Sequence, residues 1–247
     1  MVQRVKSPLL VEDNKFCPGC GHGIINRLMA EVLDELGVAD NTIGVAAVGC
    51  ACLQIDTFGI DWIQAEHGRA PAVATGIKRC RPDKVVLSYQ GDGDCLAIGM
   101  AETIHTAFRG ENLTMLFVNN GVFGMTGGQM APTTLPGQKT TTSVHGRDVS
   151  KTGNPANILE LLGTFDTVKY LARGSVTDVA SINRTKGYIR KAFENQLAGR
   201  GYSFVEVLSP CPTNWGLTPL KAIEHVKENV AKFYPTGEFV NRTEEAK

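Results

Sequence analysis

The sequence carries no surplus of either charge. Lys plus Arg number 25 and Asp plus Glu number 25, a formal net charge of +0 at pH 7. Nucleic acid and anionic membranes both select a cationic surplus, so neither is an expected partner. No apolar run approaches the ~20 residues that span a bilayer. The N-terminal stretch MVQRVKSPLL lacks the apolar core of a secretory signal. A cytoplasmic location is the resulting expectation. Internal repeats, low-complexity linkers and domain-dividing composition shifts are also missing. The 247 residues and 26.6 kDa are therefore read as a single domain, 1–247. Hydrophobic residues at 43% and charged residues at 20% fit a globular protein with a sizeable core. A neutral surface gives little colloidal repulsion, which favours a subunit of something larger.

Cysteine is not scarce. Seven are present, an odd number that a complete disulfide set excludes. In a reducing compartment such clusters point to metal or redox chemistry. Cys17 and Cys20 form CxxC, Cys50 and Cys52 form CxC, and Cys80, Cys95 and Cys211 stand apart.

After the arm 1–16, apolar residues at 24, 25, 28, 29, 32, 33 and 36 repeat at helical spacing, predicting a helix over 23–36 that Gly37 ends. The run 43–49 reads as a buried strand ending at Cys50. Helix 70–80, strand 84–89, helix 96–108 and strand 113–120 follow. The alternation returns with a strand at 167–171, a helix across 178–198 and a strand at 203–208. A last helix starts at Thr218–Pro219, where Thr caps and Pro suits the first turn. This order predicts an α/β fold: a parallel sheet with helices on both faces. Residues 121–157 break the pattern as a long loop, and such loops are usually functional. The polar tail NRTEEAK reads as frayed.

The sharpest motif is Gly91-Asp92-Gly93 after one strand, with Asn119-Asn120 ending the next. About 25 residues lie between Gly93 and Asn119. The glycines let the backbone turn tightly and approach a ligand. Amides opening the following helix suit an anion. Asp92 and the side-chain oxygen of Asn120 are hard ligands suited to Mg²⁺. Both stand at the carboxyl ends of neighbouring strands, where open α/β sheets bind ligands.

CPGC supplies a two-ligand knuckle used by both Zn²⁺ and iron–sulfur clusters. Cys211, just after a strand, is a third candidate thiolate, and Cys50 or Cys52 the fourth. Thiol chemistry alone leaves open structural Zn²⁺, a [4Fe–4S] cluster or no metal.

Spaced GDG and NN, together with CPGCGHG, HGRA and NNGVFGMTGGQMAPTT, resemble the β subunits of 2-oxoacid:ferredoxin oxidoreductases. The resemblance runs from residue 17 to about 216. It implies a thiamine-diphosphate-binding fold, with Mg²⁺ held by Asp92, Asn120 and the carbonyl of Val122. It places Gly93 and Asp94 at the diphosphate, Gly124 and Met125 beside the cofactor, and Gly49–Cys50 at its approach. It implies a [4Fe–4S] cluster on Cys17, Cys20, Cys50 and Cys211, with Cys52 the runner-up ligand. The activating glutamate is expected on an α subunit with a pyrimidine-binding domain, so this chain alone is expected to be inactive. Further γ and ferredoxin-like δ subunits fit the pattern. The implied reaction is coenzyme A-dependent oxidative decarboxylation of a 2-oxoacid to acyl-CoA and CO₂, with electrons passing singly to ferredoxin. A non-redox decarboxylase or synthase subunit and a zinc-stabilised interaction module are the alternatives.

Weaker signals complete the reading. His67 and Arg69 open a helix. His67 is a possible catalytic group near the cofactor, and Arg69 an anion contact or structural ion pair. Thr126, Gly127 and Gln129 are placed to close the site, and 140–143 reads as a solvated loop. His22 and His105 are expected to be structural, and Cys80 and Cys95 to be small buried apolar residues. Some relatives carry Lys where Leu53 stands, three residues after the GC cysteine, so substrate recognition differs here. The CPTNW ending is closer to the 2-oxoglutarate and branched-chain groups than to the pyruvate group.

Overall fold

The computed structural model describes residues 6–242. Helix α1 (Gly21–Glu35) buries Ile25, Leu28, Met29, Val32 and Leu33 along one face, and Gly37 (φ +65°) turns the chain after it. Strands β1 (Thr42–Ala47) and β2 (Asp61–Ala65) precede helix α2 (Ala70–Cys80), which has a proline in its first turn. Strand β3 (Val85–Gly91), helix α3 (Met100–Phe108) and strand β4 (Thr114–Asn119) follow. A two-strand hairpin, β5 (Val122–Phe123) with β6 (Gln129–Met130), leads to helices α4 (Val149–Thr152) and α5 (Ile158–Gly163). Strand β7 (Val168–Ser175), helix α6 (Val179–Leu197) and strand β8 (Tyr202–Leu208) come next. Helices α7 (Pro212–Trp215), α8 (Pro219–His225) and α9 (Ala231–Phe233) then lead to strand β9 (Gly237–Asn241).

Seven of these strands form one sheet in the order β2-β1-β3-β4-β8-β7-β9. Every neighbouring pair is parallel except β7–β9. One apolar layer packs α1 and α6 against the sheet through residues such as Leu28, Met29, Ile189 and Phe193. The opposite layer packs α2, α3 and α5 through Ala74, Ala107 and Leu162. The α/β fold with a mainly parallel sheet and helices on both faces is thus present.

Several local expectations need correction. The first strand ends at Ala47 rather than at Cys50, which instead opens a 3₁₀ turn, Cys50–Gln54. The helix expected over 96–108 breaks at Gly99, preceded by a wider π turn, Asp94–Ile98, because the Gly99 amide donates to the carbonyl of Asp94. Strand β2 went unread because it is a largely exposed edge strand. Strand β9 covers the other edge and is antiparallel. Asn241 of the tail belongs to it, whereas 243–247 lie outside the described residues, as do 1–5 of the N-terminal arm.

Residues 121–157 are ordered rather than structureless. The Arg147 guanidinium, on a residue 6% exposed, donates to the carbonyls of Ala131, Pro132, Thr134, Thr152, Gly153 and Asn154. Carbonyls from both ends of the segment thereby converge on one cation, which offsets its burial with charge-assisted hydrogen bonds.

Candidate active site

Strands β1, β3, β4 and β8 are consecutive neighbours and parallel, so their carboxyl ends share one edge of the sheet. Gly49–Cys50, Gly91–Asp94, Asn119–Asn120 and Ser209–Cys211 leave from that edge. The CPGC loop reaches the same edge from outside: α1 starts there, and the Gly21 amide donates to the carbonyl of Pro210 at 3.3 Å. A cleft opens between these segments. Gly49, Cys50, His67, Gly91, Asp92, Gly93, Asp94, Asn120, Val122, Gly124, Met125 and Thr126 all line it.

Asp92 is 1% exposed. Its Oδ1 accepts from the Gly93 amide at 2.8 Å, and its Oδ2 accepts from the Gly121 amide at 2.6 Å and from Thr133 Oγ1 at 2.5 Å. Burial still dominates and pushes this carboxyl up to about 6. No cationic side chain contacts it among the described residues. A buried carboxylate beside the Asn120 amide oxygen, with no cation of its own, is chemically suited to a hard divalent ion. Asn120 Oδ1 accepts from the Val122 amide at 3.1 Å, which fixes the turn. Gly93 must be glycine, since a Cβ there would come within 2.4 Å of the Phe123 ring.

Asp94 is a second buried carboxylate with three donors. His67 Nδ1 and the Gly68 amide donate to Oδ1, each at 2.5 Å, and Gln90 Nε2 donates to Oδ2. Burial raises its pKa against these bonds. An ionised Asp94 can only accept, so His67 carries its proton on Nδ1 and leaves Nε2 for the cleft. The His67 ring also meets Phe123 edge to face at 6.0 Å. Arg69 pairs with Glu102 and does not line the cleft.

The cysteines gather at the other side. Cys20 is the N-cap of α1 and Cys211 the N-cap of α7. Burial pushes the Cys20 thiol up to about 12 and Cys50 up to about 11, and each is raised further by neighbouring cysteines. For Cys20 those are Cys211, Cys50 and Cys17; for Cys50, Cys211 and Cys17 act before Cys52. Cys211 is raised by burial, opposed by hydrogen bonds from Asn214. The four thiols thus lie within electrostatic reach of one another. Among the described residues, however, no three His, Cys, Asp or Glu side chains are drawn together as ligands of a single ion. Cys95 is buried as expected, but Cys80 is exposed, because it ends α2 on the surface.

Sequence reading missed four cleft-lining residues, His22, Val48, Ala51 and Phe123. His22 reaches the cleft from the first turn of α1, with Nδ1 2.6 Å from Tyr89 Oη and its ring stacked on Phe16 at 5.0 Å. Burial lowers its pKa to about 4, so it is neutral at pH 7. Val48 and Phe123 supply apolar wall. The usable signal was proximity in sequence, since each lies within two residues of a motif position. Thr126 and Gln129 bond each other across the β5–β6 turn (Oγ1 to Oε1, 2.6 Å). Thr140 is buried, so 140–143 is only partly a solvated loop.

A glycine-lined cleft with buried carboxylates at the carboxyl edge of a parallel sheet is the ligand site of an open α/β domain. Accordingly, the family model described as "Thiamine pyrophosphate enzyme, C-terminal TPP binding domain" matches residues 44–207. The chain is 47% identical over 230 residues to the ketoisovalerate oxidoreductase subunit VorA of Methanothermobacter thermautotrophicus, covering 93% of this chain and 48% of that protein. It is 36% identical over 220 residues to the 2-oxoglutarate synthase subunit KorB of Methanocaldococcus jannaschii, covering 87% and 77%. Among solved structures, the 2-oxoglutarate:ferredoxin oxidoreductase from Magnetococcus marinus, with 2-oxoglutarate, coenzyme A and succinyl-CoA bound, superposes with a TM-score of 0.76. The identity is 26%, over 93% of this chain and 82% of that one. The chain belongs to the family of 2-oxoacid:ferredoxin oxidoreductase β subunits. It spans about half the length of the VorA relatives. No helix among the described residues is long and apolar enough to cross a membrane.

Proposed function

We propose that this chain is the cofactor- and cluster-bearing domain of a coenzyme A-dependent 2-oxoacid:ferredoxin oxidoreductase, working in the cytoplasm with a partner α subunit. The observation that carries the reading is the position of Cys50. It lines the Asp92 cleft, and its thiol feels those of Cys211 and Cys17. A residue shared by a diphosphate site and a thiol set gives electrons a short path between two centres, for which a simple decarboxylase has no use.

Asp92, Asn120 and the carbonyl of Val122 hold Mg²⁺ in this reading, and the amides that open the turn after Gly93 receive the diphosphate. When bound, thiamine diphosphate supplies an electron sink for loss of CO₂, and a [4Fe–4S] cluster accepts electrons singly. His67, held by Asp94 through Nδ1–H, presents Nε2 to the cleft as a hydrogen-bond acceptor. Val48 and Phe123 give the cleft an apolar wall, and Met125 stands exposed at its mouth. Cys17, Cys20, Cys50 and Cys211 are the cluster ligands. Four thiols that are near but not converged suit four separate irons better than the tight tetrahedron of one Zn²⁺.

The substrate is an apolar branched-chain 2-oxoacid. Two features support this: the greater identity to a ketoisovalerate oxidoreductase subunit, and a cleft whose described lining holds no Lys or Arg for a second carboxylate.

The test is anaerobic purification with the partner subunit, analysis for iron, sulfide and thiamine diphosphate, and assay of a 2-oxoacid panel with a one-electron dye. About four irons and four sulfides per chain are expected, with 3-methyl-2-oxobutanoate turned over faster than 2-oxoglutarate and no turnover by the chain alone. One Zn per chain without sulfide, or CO₂ release without dye reduction, overturns the reading.

A further inference from the structure

We propose that Asn214 is a positioning residue that ties the Cys211 sulfur to the cofactor loop and raises the reduction potential of the cluster that this sulfur holds. The inference rests on the cluster assignment above and goes beyond it.

The local sequence is Cys211-Pro212-Thr213-Asn214-Trp215, with Cys211 capping α7. Residues three apart on a helix share a face, so the Asn214 amide folds back over Cys211. Its Nδ2 has two hydrogens and two partners: the carbonyl of Gly124 at 2.9 Å and Cys211 Sγ at 3.4 Å. The next side chain grips the other end of the same loop, since Trp215 Nε1 donates to the carbonyl of Asn120 at 3.2 Å. The proposed second sulfur is also at hand. A Cβ built on Gly124 would lie 3.2 Å from Cys50 Sγ and 3.6 Å from Asn214 Nδ2. One amide therefore touches a candidate cluster sulfur and the backbone of the cofactor loop, beside another such sulfur.

The electrostatic consequence follows from the charge on the sulfur. Adding an electron to a cluster increases the negative charge its thiolates carry, and an N–H donor stabilises that form more than the oxidised one. Hydrogen bonds to cluster sulfurs are among the controls of potential for this reason. Asn214 thus makes the cluster a better acceptor while fixing the short path to it.

The experiment is potentiometric titration of the purified complex, followed by electron paramagnetic resonance, for wild type, Asn214→Asp and Asn214→Ser. Asp keeps the size but replaces the donor with an anion, whereas Ser keeps a shorter donor. Midpoint potentials are expected to fall in the order wild type, Ser, Asp, with iron and sulfide unchanged and thiamine diphosphate held more weakly in both variants. Equal potentials in all three proteins at full iron content overturn the inference. So does iron loss in both variants, which would make Asn214 an assembly residue. If only Asp loses iron, the potential of the Ser variant decides. Absence of a cluster from wild type sinks the underlying function instead, and is seen before any variant is made.

Discussion

On one side of the cleft, Asp92 and Asp94 each accept three hydrogen bonds, from amides and from Thr133, Gln90 and His67. On the other side, the thiols of Cys20, Cys50 and Cys211 are held neutral by burial, with few donors to offset it. Both sides use the same strand edge, yet the protein alone completes only the carboxylate side. The oxygens of Asp92 are held in place by these donors, which in the proposed reading aims them at one Mg²⁺. The thiol side becomes favourable only when something takes the protons away, and a metal centre does so by binding thiolate. The first is preorganised, the second conditional.

The largest predicted effect breaks the conditional side. Cys50→Ser is expected to lose the cluster, while Cys52→Ser retains near-full iron and sulfide, because the thiols that act on Cys20 are those of Cys211, Cys50 and Cys17. Loss of the reduced-cluster resonance in the second variant and its survival in the first would reverse the ligand assignment. Next, Asp92→Ala is expected to abolish retention of thiamine diphosphate with iron intact, and Asn120→Asp to weaken it only, since an oxygen ligand remains. Stoichiometric cofactor in Asp92→Ala would mean that the carboxylate side is not the Mg²⁺ site.

A subtler change sharpens the preorganisation argument. Thr133→Val removes one donor from a buried carboxylate, and a hydrogen bond to a charged group contributes about 1.5–3 kcal/mol. Urea unfolding of the cofactor-free protein at pH 8 should show a stability loss in that range, and an unchanged stability would argue that Thr133 does not hold Asp92.

The smallest effect is a control far from both sides. Asp178 caps α6 by accepting from the Ser181 amide, which lowers its carboxyl to about 2. Because the folded pKa lies below the unfolded one, its stabilisation is full above about pH 4 and fades as pH falls through 2. Asp178→Ala should cost about 1 kcal/mol in urea unfolding at pH 7, with the difference closing near pH 2 and cofactor and iron content unchanged.

Some of this was readable residue by residue. The GDG turn and the asparagine pair are local signals on apolar strands, and α1 announces itself by the spacing of Ile25, Leu28, Met29 and Val32. Other parts carry no periodic signal. Strands β2 and β9 are both mostly exposed, so pairing with a neighbouring strand rather than pattern makes them strands. The order of 121–157 comes from side-chain donors meeting backbone carbonyls, above all those of Arg147, and no hydrophobic period records such contacts.

Short-range chemistry along the chain thus dictated which residues could be ligands: paired thiols, a carboxylate between glycines, an amide at a strand end. Tertiary structure alone decided which of them meet. His22 finds Tyr89 across 67 positions, Asn214 finds Gly124 across 90, and Asn119 finds the buried Arg173–Glu206 pair across 87. Those distances close because parallel neighbours must start and end together, bringing carboxyl ends that are remote in sequence to one edge. Hydrophobic packing of α1 and α6 on the sheet, rather than any affinity between the motifs, holds that edge in place.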